Sequence, residues 1–192
     1  MTPIGASAEL AERIEAVRIA HGVPGLAVAA VADDRIVFER GFGVTAVGAG
    51  QPVDERTIFA IASVSKSFTA TALGLLVARG DLAWTDRVVD HLPWFELSDP
   101  YATSHATLLD LASHRTGLAR GDRIAMGGFD REEVVRRLRG EPFSRGFREG
   151  FSYSNVLYTV LGLVVEARSG GSFEDFVRRE LFEVAGMTDS TF

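Results

Sequence analysis

Only two stretches of this chain read as β-strands, and both lie before residue 43; almost everything after them carries helical spacing. Leu26–Ala32 and Ile36–Phe42 are rich in strand-forming residues and meet at Asp33-Asp34, which reads as the junction of a hairpin. Two strands alone make a poor sheet. The hairpin also carries apolar residues on both faces, including Val28, Val31, Ile36, Val37 and Phe38. Two coverings satisfy this pattern: strands that follow residue 192, or helices of the same chain packed on the hairpin.

The helical remainder divides into about six segments. Ala6–Ala20 places Leu10, Ile14, Val17 and Ala20 at helical spacing, with Ser7 as its cap. Ser63–Ala78 is stopped by Arg79-Gly80-Asp81, and Thr107–Ser113 is a short helix ending near Gly117. In Asp130–Arg139 the pair Asp130 and Glu133 outlines a capping box. Asn155–Arg168 and Ser172–Ala185 are separated by Gly170-Gly171, while Arg120–Gly128 and Gly140–Gly150 read as loops. Asp86 and Asp90 fit a solvated or capping role, and the run Arg136, Arg137, Arg139 fits a solvated helix face.

Composition removes several function classes. There is no cysteine, so disulfides, zinc–thiolate sites and a thiol nucleophile are excluded. With 20 Lys+Arg against 26 Asp+Glu, the net charge of -6 argues against a nucleic-acid partner, which needs a basic face. His21, His91 and His105 are scattered without ligand spacing, so neither a metal nor another cofactor is expected. The longest apolar run, Val156–Val165, is short of the roughly 18 residues that span a membrane. The N-terminal residues lack a basic and apolar leader, so the expected location is cytoplasmic if Met1 is the native start, and periplasmic or secreted if it is not.

Two residue types occur once each: Lys66, against 19 arginines, and Asn155. In an Arg-rich chain a lone lysine is either an accident of composition or marks a place where arginine does not serve, because a buried lysine can give up its proton and arginine does not. Ser63 precedes Lys66 by three residues, which puts hydroxyl and amine on one helix face. Burial and the positive potential of a helix N-terminus both disfavour a charged amine there. A neutral Lys66 can accept the Ser63 proton and create the activated nucleophile of acyl transfer, with the Ser63 N–H as one oxyanion donor. Tyr153-Ser154-Asn155 is the second group: in an extended segment the phenol and the carboxamide point the same way. The plain alternatives are that the Ser–x–x–Lys spacing is coincidental and that Asn155 simply caps the following helix.

Ser63-Val-Ser-Lys66 together with Tyr153-Ser-Asn155 resembles the serine β-lactamase-related superfamily, which includes class C β-lactamases, penicillin-binding proteins, family VIII-type esterases and D-aminopeptidases. The hairpin segment GLAVAAVADDRIVFERGFG, the block around Ser63, LLDLASHRTGL, FSYSNVLYTVLGLVVEARSG and FVRRELFEVAGMTDSTF are similar to that group in order and spacing, over nearly all of residues 10–192. The resemblance implies an acyl-enzyme serine hydrolase acting on a small-molecule or short-peptide substrate through a peptide, ester or β-lactam carbonyl. Ser63 would be acylated, Lys66 would take its proton, Tyr153 would shuttle protons, and Asn155 would bind Lys66 and the substrate amide. The stretch LLDLASHRTGLARGD looks more like peptidase- and esterase-type members than dedicated β-lactamases.

The implied fold is α+β, β-lactamase/transpeptidase-like: an antiparallel sheet packed with helices, plus a helical lobe. One domain would occupy residues 1–192, with hairpin 26–42, nucleophile helix 63–78 and helical lobe 82–185. The resemblance also implies a third motif, Lys-Thr-Gly or His-x-Gly, on a later strand. His114-Arg115-Thr116-Gly117 precedes Tyr153 and ends a helix, so it is read as a structural loop instead. The expectation is therefore that the C-terminal strands and helix of the fold are missing. The alternative function is a catalytically incomplete fragment, or a module that binds peptide or β-lactam without turnover.

Overall fold

Asp33 and Asp34 both adopt left-handed backbone, with φ of 51° and 59°, and so close a two-residue turn whose twist suits antiparallel strands. In the computed structural model, which describes residues 7–48 and 50–192, this turn joins β1 (Gly25–Ala32) to β2 (Arg35–Gly43). The register runs from Ala32 opposite Arg35 to Gly25 opposite Gly43, with one irregularity at Ala30/Val31. The chain up to Ala60 forms one compact unit and Ile61–Phe192 a second.

Within the first unit, α1 (Ser7–Ala20) covers one face of the hairpin. Ala11, Phe38 and Phe42 are buried there, with Leu10, Ile14, Leu26 and Val28 packed around them. Beside the buried Ala11, a half-buried stripe of α1 steps by four residues, from Leu10 to Ile14 to Arg18, and Val17 and Ala20 are exposed, contrary to the expected pattern. Arg18 takes that place because its guanidinium donates to the carbonyls of Val23 (2.7 Å) and Pro24 (3.1 Å) and to Glu15, tying the helix to the segment that leads into the first strand. The expected Ser7 cap lies outside the described side chains. The opposite face of the hairpin leaves Val31 and Ile36 about two-thirds exposed, at 67% and 63%.

The second unit is helical. A 3-10 turn (Ala62–Val64) leads into α2 (Ser65–Ala78), followed by α3 (Val88–His91), α4 (Pro100–His105), α5 (Leu108–Ala112), α6 (Asp122–Ala125), α7 (Arg131–Arg136), α8 (Val156–Ser169) and α9 (Phe173–Val177), which runs on into a π-helical turn. α8 is the centre. Its buried residues Val156, Leu157, Val160, Leu161, Val164 and Val165 follow a 3–4 residue rhythm and give it contacts with α2, α5, α7 and α9. α2 contributes Thr69, Ala72, Leu73 and Leu76 to the same core. Gly80, with φ of 81°, ends α2 as expected: its N–H bonds the Val77 carbonyl and the Asp81 N–H bonds Leu76.

Side-chain caps set the starts of α4, α5, α7 and α9. Thr107 and Asp110 form a reciprocal capping box on α5. On α7 only half of the expected box forms: Asp130 accepts from the Glu133 N–H, while the Glu133 carboxylate pairs with Arg137 one turn on (2.7 Å). The segment expected as a loop from Arg120 to Gly128 contains α6, one turn of helix entered through Gly121. No described helix is long and apolar enough to cross a membrane.

Asp110 has a second task. Its two carboxylate oxygens accept from Arg148 at 2.9 and 2.6 Å, which pins the 144–150 loop to α5. Burial pushes the Asp110 carboxyl up, but the Arg148 and Thr107 donors outweigh it and leave it below the ordinary range. Asp110→Ala is expected to lower unfolding free energy by about 2–4 kcal/mol at pH 7, read by urea denaturation. Because the folded value lies below the unfolded one, this contribution is present above pH ~4 and is lost as pH falls through the lowered folded value. The gap between parent and variant should therefore narrow in acid; a gap that stays constant there contradicts the assignment.

Candidate active site

Ser63 sits on a strained turn. Ala62, immediately before it, has φ of 46°, a left-handed conformation that is unfavourable for a residue with a side chain. The turn places Ser63 one helical step below Lys66, and the Lys66 Nζ donates to the Ser63 Oγ at 3.2 Å. The same Nζ donates to the Asn155 Oδ1 at 2.8 Å, and the Ser63 Oγ shares a 2.7 Å hydrogen bond with the Tyr153 hydroxyl. All four residues singled out in the sequence thus converge, although the two pairs lie about 90 positions apart.

The expected burial of this corner is not found. The buried stripe of α2 begins at Thr69, more than a turn beyond Ser63, so Ser63 is exposed and Lys66 half-buried. The apolar residues flanking Ser63, Ile61 and Val64, are exposed as well.

Tyr153–Asn155 is held by its backbone. The Ser152 N–H donates to the His114 carbonyl (2.8 Å) and the Asn155 N–H to the Arg120 carbonyl (3.2 Å). The Ser154 N–H donates to the His114 Nδ1 (3.2 Å), so this ring carries its proton on Nε2 when neutral. The buried His114 ring then lies 4.5 Å from the Tyr153 ring, between centroids, and 5.3 Å from that of Tyr158. Asn155 occupies the cap position of α8, yet its side chain makes no capping bond. Its carboxamide spans Lys66 on one side and Asp122 on the other, where the Nδ2 donates to the Asp122 Oδ1 at 2.9 Å. The helix-cap alternative for Asn155 is therefore overturned by geometry.

Comparison with known proteins gives the same lineage across the chain. A family model described as Beta-lactamase matches residues 10–192. The chain belongs to the beta-lactamase family. Penicillin-binding protein 4 of Amycolatopsis lactamdurans is 33% identical over 183 residues, which is 93% of this chain and 47% of that protein. Esterase EstB of Burkholderia gladioli is 35% identical over 187 residues, covering 86% of this chain and 46% of its own length. The octameric penicillin-binding protein homologue from Pyrococcus abyssi superposes with a TM-score of 0.81 at 28% identity, over 95% of this chain and 44% of that one. The fold is the β-lactamase/transpeptidase type, helix-rich with a small antiparallel sheet, and the chain spans less than half the length of these relatives. The family is one of serine hydrolases.

In this beta-lactamase family member, charge gathers around the Tyr153 phenol. The Lys66 Nζ stands 5.0 Å from the Tyr153 ring centroid and 5.4 Å from that of Tyr158; the Arg120 guanidinium carbon is 5.5 Å from the Tyr153 centroid. Hydrogen bonding from Lys66 and then from Ser63 holds the Tyr153 phenol below the ordinary tyrosine value, with the charges of Lys66 and Arg120 adding to the effect. Tyr158 moves the other way, raised by burial and then by the proximity of Tyr153. Burial, followed by the Lys66 charge, lowers His114.

Sequence reasoning missed four contributors: Arg120, Asp122, His114 and Tyr158. His114 was legible only as a helix-ending residue, and Arg120 and Asp122 only as polar members of a loop. Their partners lie more than 30 positions away, so no local spacing announces them. The electrostatics are testable by labelling the three tyrosines with ¹³C at Cζ and titrating by NMR. Tyr153 should ionise below the ordinary value of about 10 and Tyr158 above it. Lys66→Met should move Tyr153 upward, since it removes both the donor and the charge. Tyr153 ionising at or above Tyr158 contradicts the arrangement.

Proposed function

We propose that this protein is a serine hydrolase whose acyl-enzyme chemistry is carried by Ser63, Lys66, Tyr153 and Asn155, acting on ester, peptide or β-lactam carbonyls of small molecules or short peptides. The observation that carries the reading is the convergence of Lys66 and Tyr153 on the Ser63 Oγ, at 3.2 and 2.7 Å. In this reading the Oγ attacks the carbonyl carbon while its proton passes to neutral Lys66. The carbonyl π pair moves to oxygen, where the Ser63 N–H is one donor. When the tetrahedral intermediate collapses, the proton is passed through Tyr153 to the leaving group and the acyl group stays on Ser63. A water then attacks the acyl carbon, gives a proton to the Tyr153–Lys66 pair, and releases the acid as the Oγ recovers its hydrogen. Tyr153 suits the shuttle because its lowered phenol gives up a proton more readily than an ordinary tyrosine.

Esters and short peptides are favoured over β-lactams as natural substrates. The support is the peptidase- and esterase-like stretch around LLDLASHRTGLARGD and the relatedness to an esterase. A second reading, acylation with little turnover, is supported by the exposure of Ser63, because oxyanion donors act most strongly where water is excluded.

Turnover of a p-nitrophenyl ester decides between them. Ser63→Ala should abolish it, and Lys66→Arg should reduce it by about 10²–10⁴, the range associated with loss of a proton-transfer residue. A single burst of nitrophenol without steady turnover supports the second reading. Turnover by Lys66→Arg equal to the parent contradicts the role given to Lys66, and turnover that survives Ser63→Ala contradicts the whole reading.

A further inference from the structure

The Asn155 carboxamide lies between two groups of opposite hydrogen-bonding character. A carboxylate can only accept, so the amide nitrogen has to face Asp122 and the oxygen is left to face Lys66, whose Nζ donates to it. With Lys66 at 2.8 Å on one side and Asp122 at 2.9 Å on the other, only one orientation satisfies both: oxygen toward Lys66, nitrogen toward Asp122. Turning the amide over would set its N–H groups against the Nζ–H of Lys66 and its oxygen against the carboxylate, breaking both hydrogen bonds at once. The choice of oxygen and nitrogen in this amide is thus dictated by its neighbours.

Asp122 is itself aimed. Its other oxygen accepts from the Arg120 Nε at 2.8 Å, so the carboxylate is held from two sides. Gly121 makes the geometry possible. It turns with φ of 68°, and a Cβ there would meet the Val156 Cγ2 at 2.7 Å, so the chain can reverse between Arg120 and Asp122 directly against the start of α8. The Arg120 carbonyl meanwhile accepts from the Asn155 N–H. Residues 120–122 therefore grip Asn155 by backbone and by side chain.

We propose that Asp122, anchored by Arg120, is a positioning residue that locks the Asn155 amide with its oxygen on Lys66 and so fixes where the Lys66 amine stands relative to Ser63. Its effect on catalysis rests on the function proposed above; its effect on the amide does not.

The composition of the chain supplies an unusually clean probe. Asn155 is the only asparagine and Gln51 the only glutamine, so the protein has two side-chain amide pairs in a ¹⁵N spectrum. In the parent, the Asn155 Nδ2 resonances should shift as Asp122 is protonated, at a pH below the ordinary carboxylate range because Arg120 and then Asn155 hold Asp122 down. Asp122→Ala and Asp122→Asn should abolish that titration. In ester turnover, Asp122→Asn should lose about 10- to 100-fold in kcat with little change in KM, as expected when a reacting group is displaced rather than a binding contact removed. Asp122→Asn is the telling variant, since it keeps the shape but tolerates either amide orientation. An Asn155 amide insensitive to acid in the parent overturns the proposal without any variant, and so does Asp122→Asn turnover within about 2-fold of the parent. Absence of ester turnover in the parent would instead refute the proposed function and leave the amide titration to decide the role of Asp122.

Discussion

The arrangement depends on one hydrogen bond, from the Lys66 Nζ to the Asn155 amide oxygen, which joins segments 89 positions apart. Lys66 comes from the first turn of α2 and Asn155 from the residue before α8, the two helices that pack side by side through the core of the second unit. The apolar stripe Leu73/Leu76 and the stripe of α8 bring those helix starts together, and the polar contact forms at the end of that packed seam. Packing therefore fixes the distance, and the amide fixes which chemistry faces the amine. Ser63 and Tyr153 follow from this, being three residues before Lys66 and two before Asn155.

Around that seam the protein spends backbone strain on loops. Ala62, His114 and Arg148 all have left-handed backbone without being glycine. Each sits where a side chain has to be aimed: Ala62 presents Ser63, His114 receives the Ser154 N–H and stacks near Tyr153, and Arg148 reaches Asp110. Conformations of this kind cost of order 1–3 kcal/mol each and persist only where the surroundings enforce them. Here the enforcing contacts are visible: the Arg148 N–H bonds the Arg115 carbonyl, and the buried His114 ring is enclosed by Phe151, Tyr153 and Tyr158.

What the sequence makes legible is what depends on short spacing. The hairpin at Asp33-Asp34, the glycine stop of α2 and the meeting of Ser63 with Lys66 are all set within a few residues, and the structure reproduces them. The convergence of Tyr153 and Asn155 on that pair was reachable only through the family resemblance, since 90 positions separate the motifs. Expectations failed where a competing partner was out of view. Glu133 turns to Arg137 instead of completing the α7 cap, and Arg18 displaces Val17 from the α1 stripe. Arg120 and Asp122 had no sequence signal at all, because a charged pair beside glycine is an ordinary loop until the helix it grips is in place.

In the proposed function Ser63 is the one serine made nucleophilic by its surroundings. Incubation of the chain with a fluorophosphonate, followed by intact mass measurement and peptide mapping, tests it directly. A single adduct is expected, on the peptide containing Ser63 and assigned by fragmentation to that residue rather than to Ser65 or Ser67, which lack the Lys66–Tyr153 contacts. No adduct, or label spread over several serines, would contradict it.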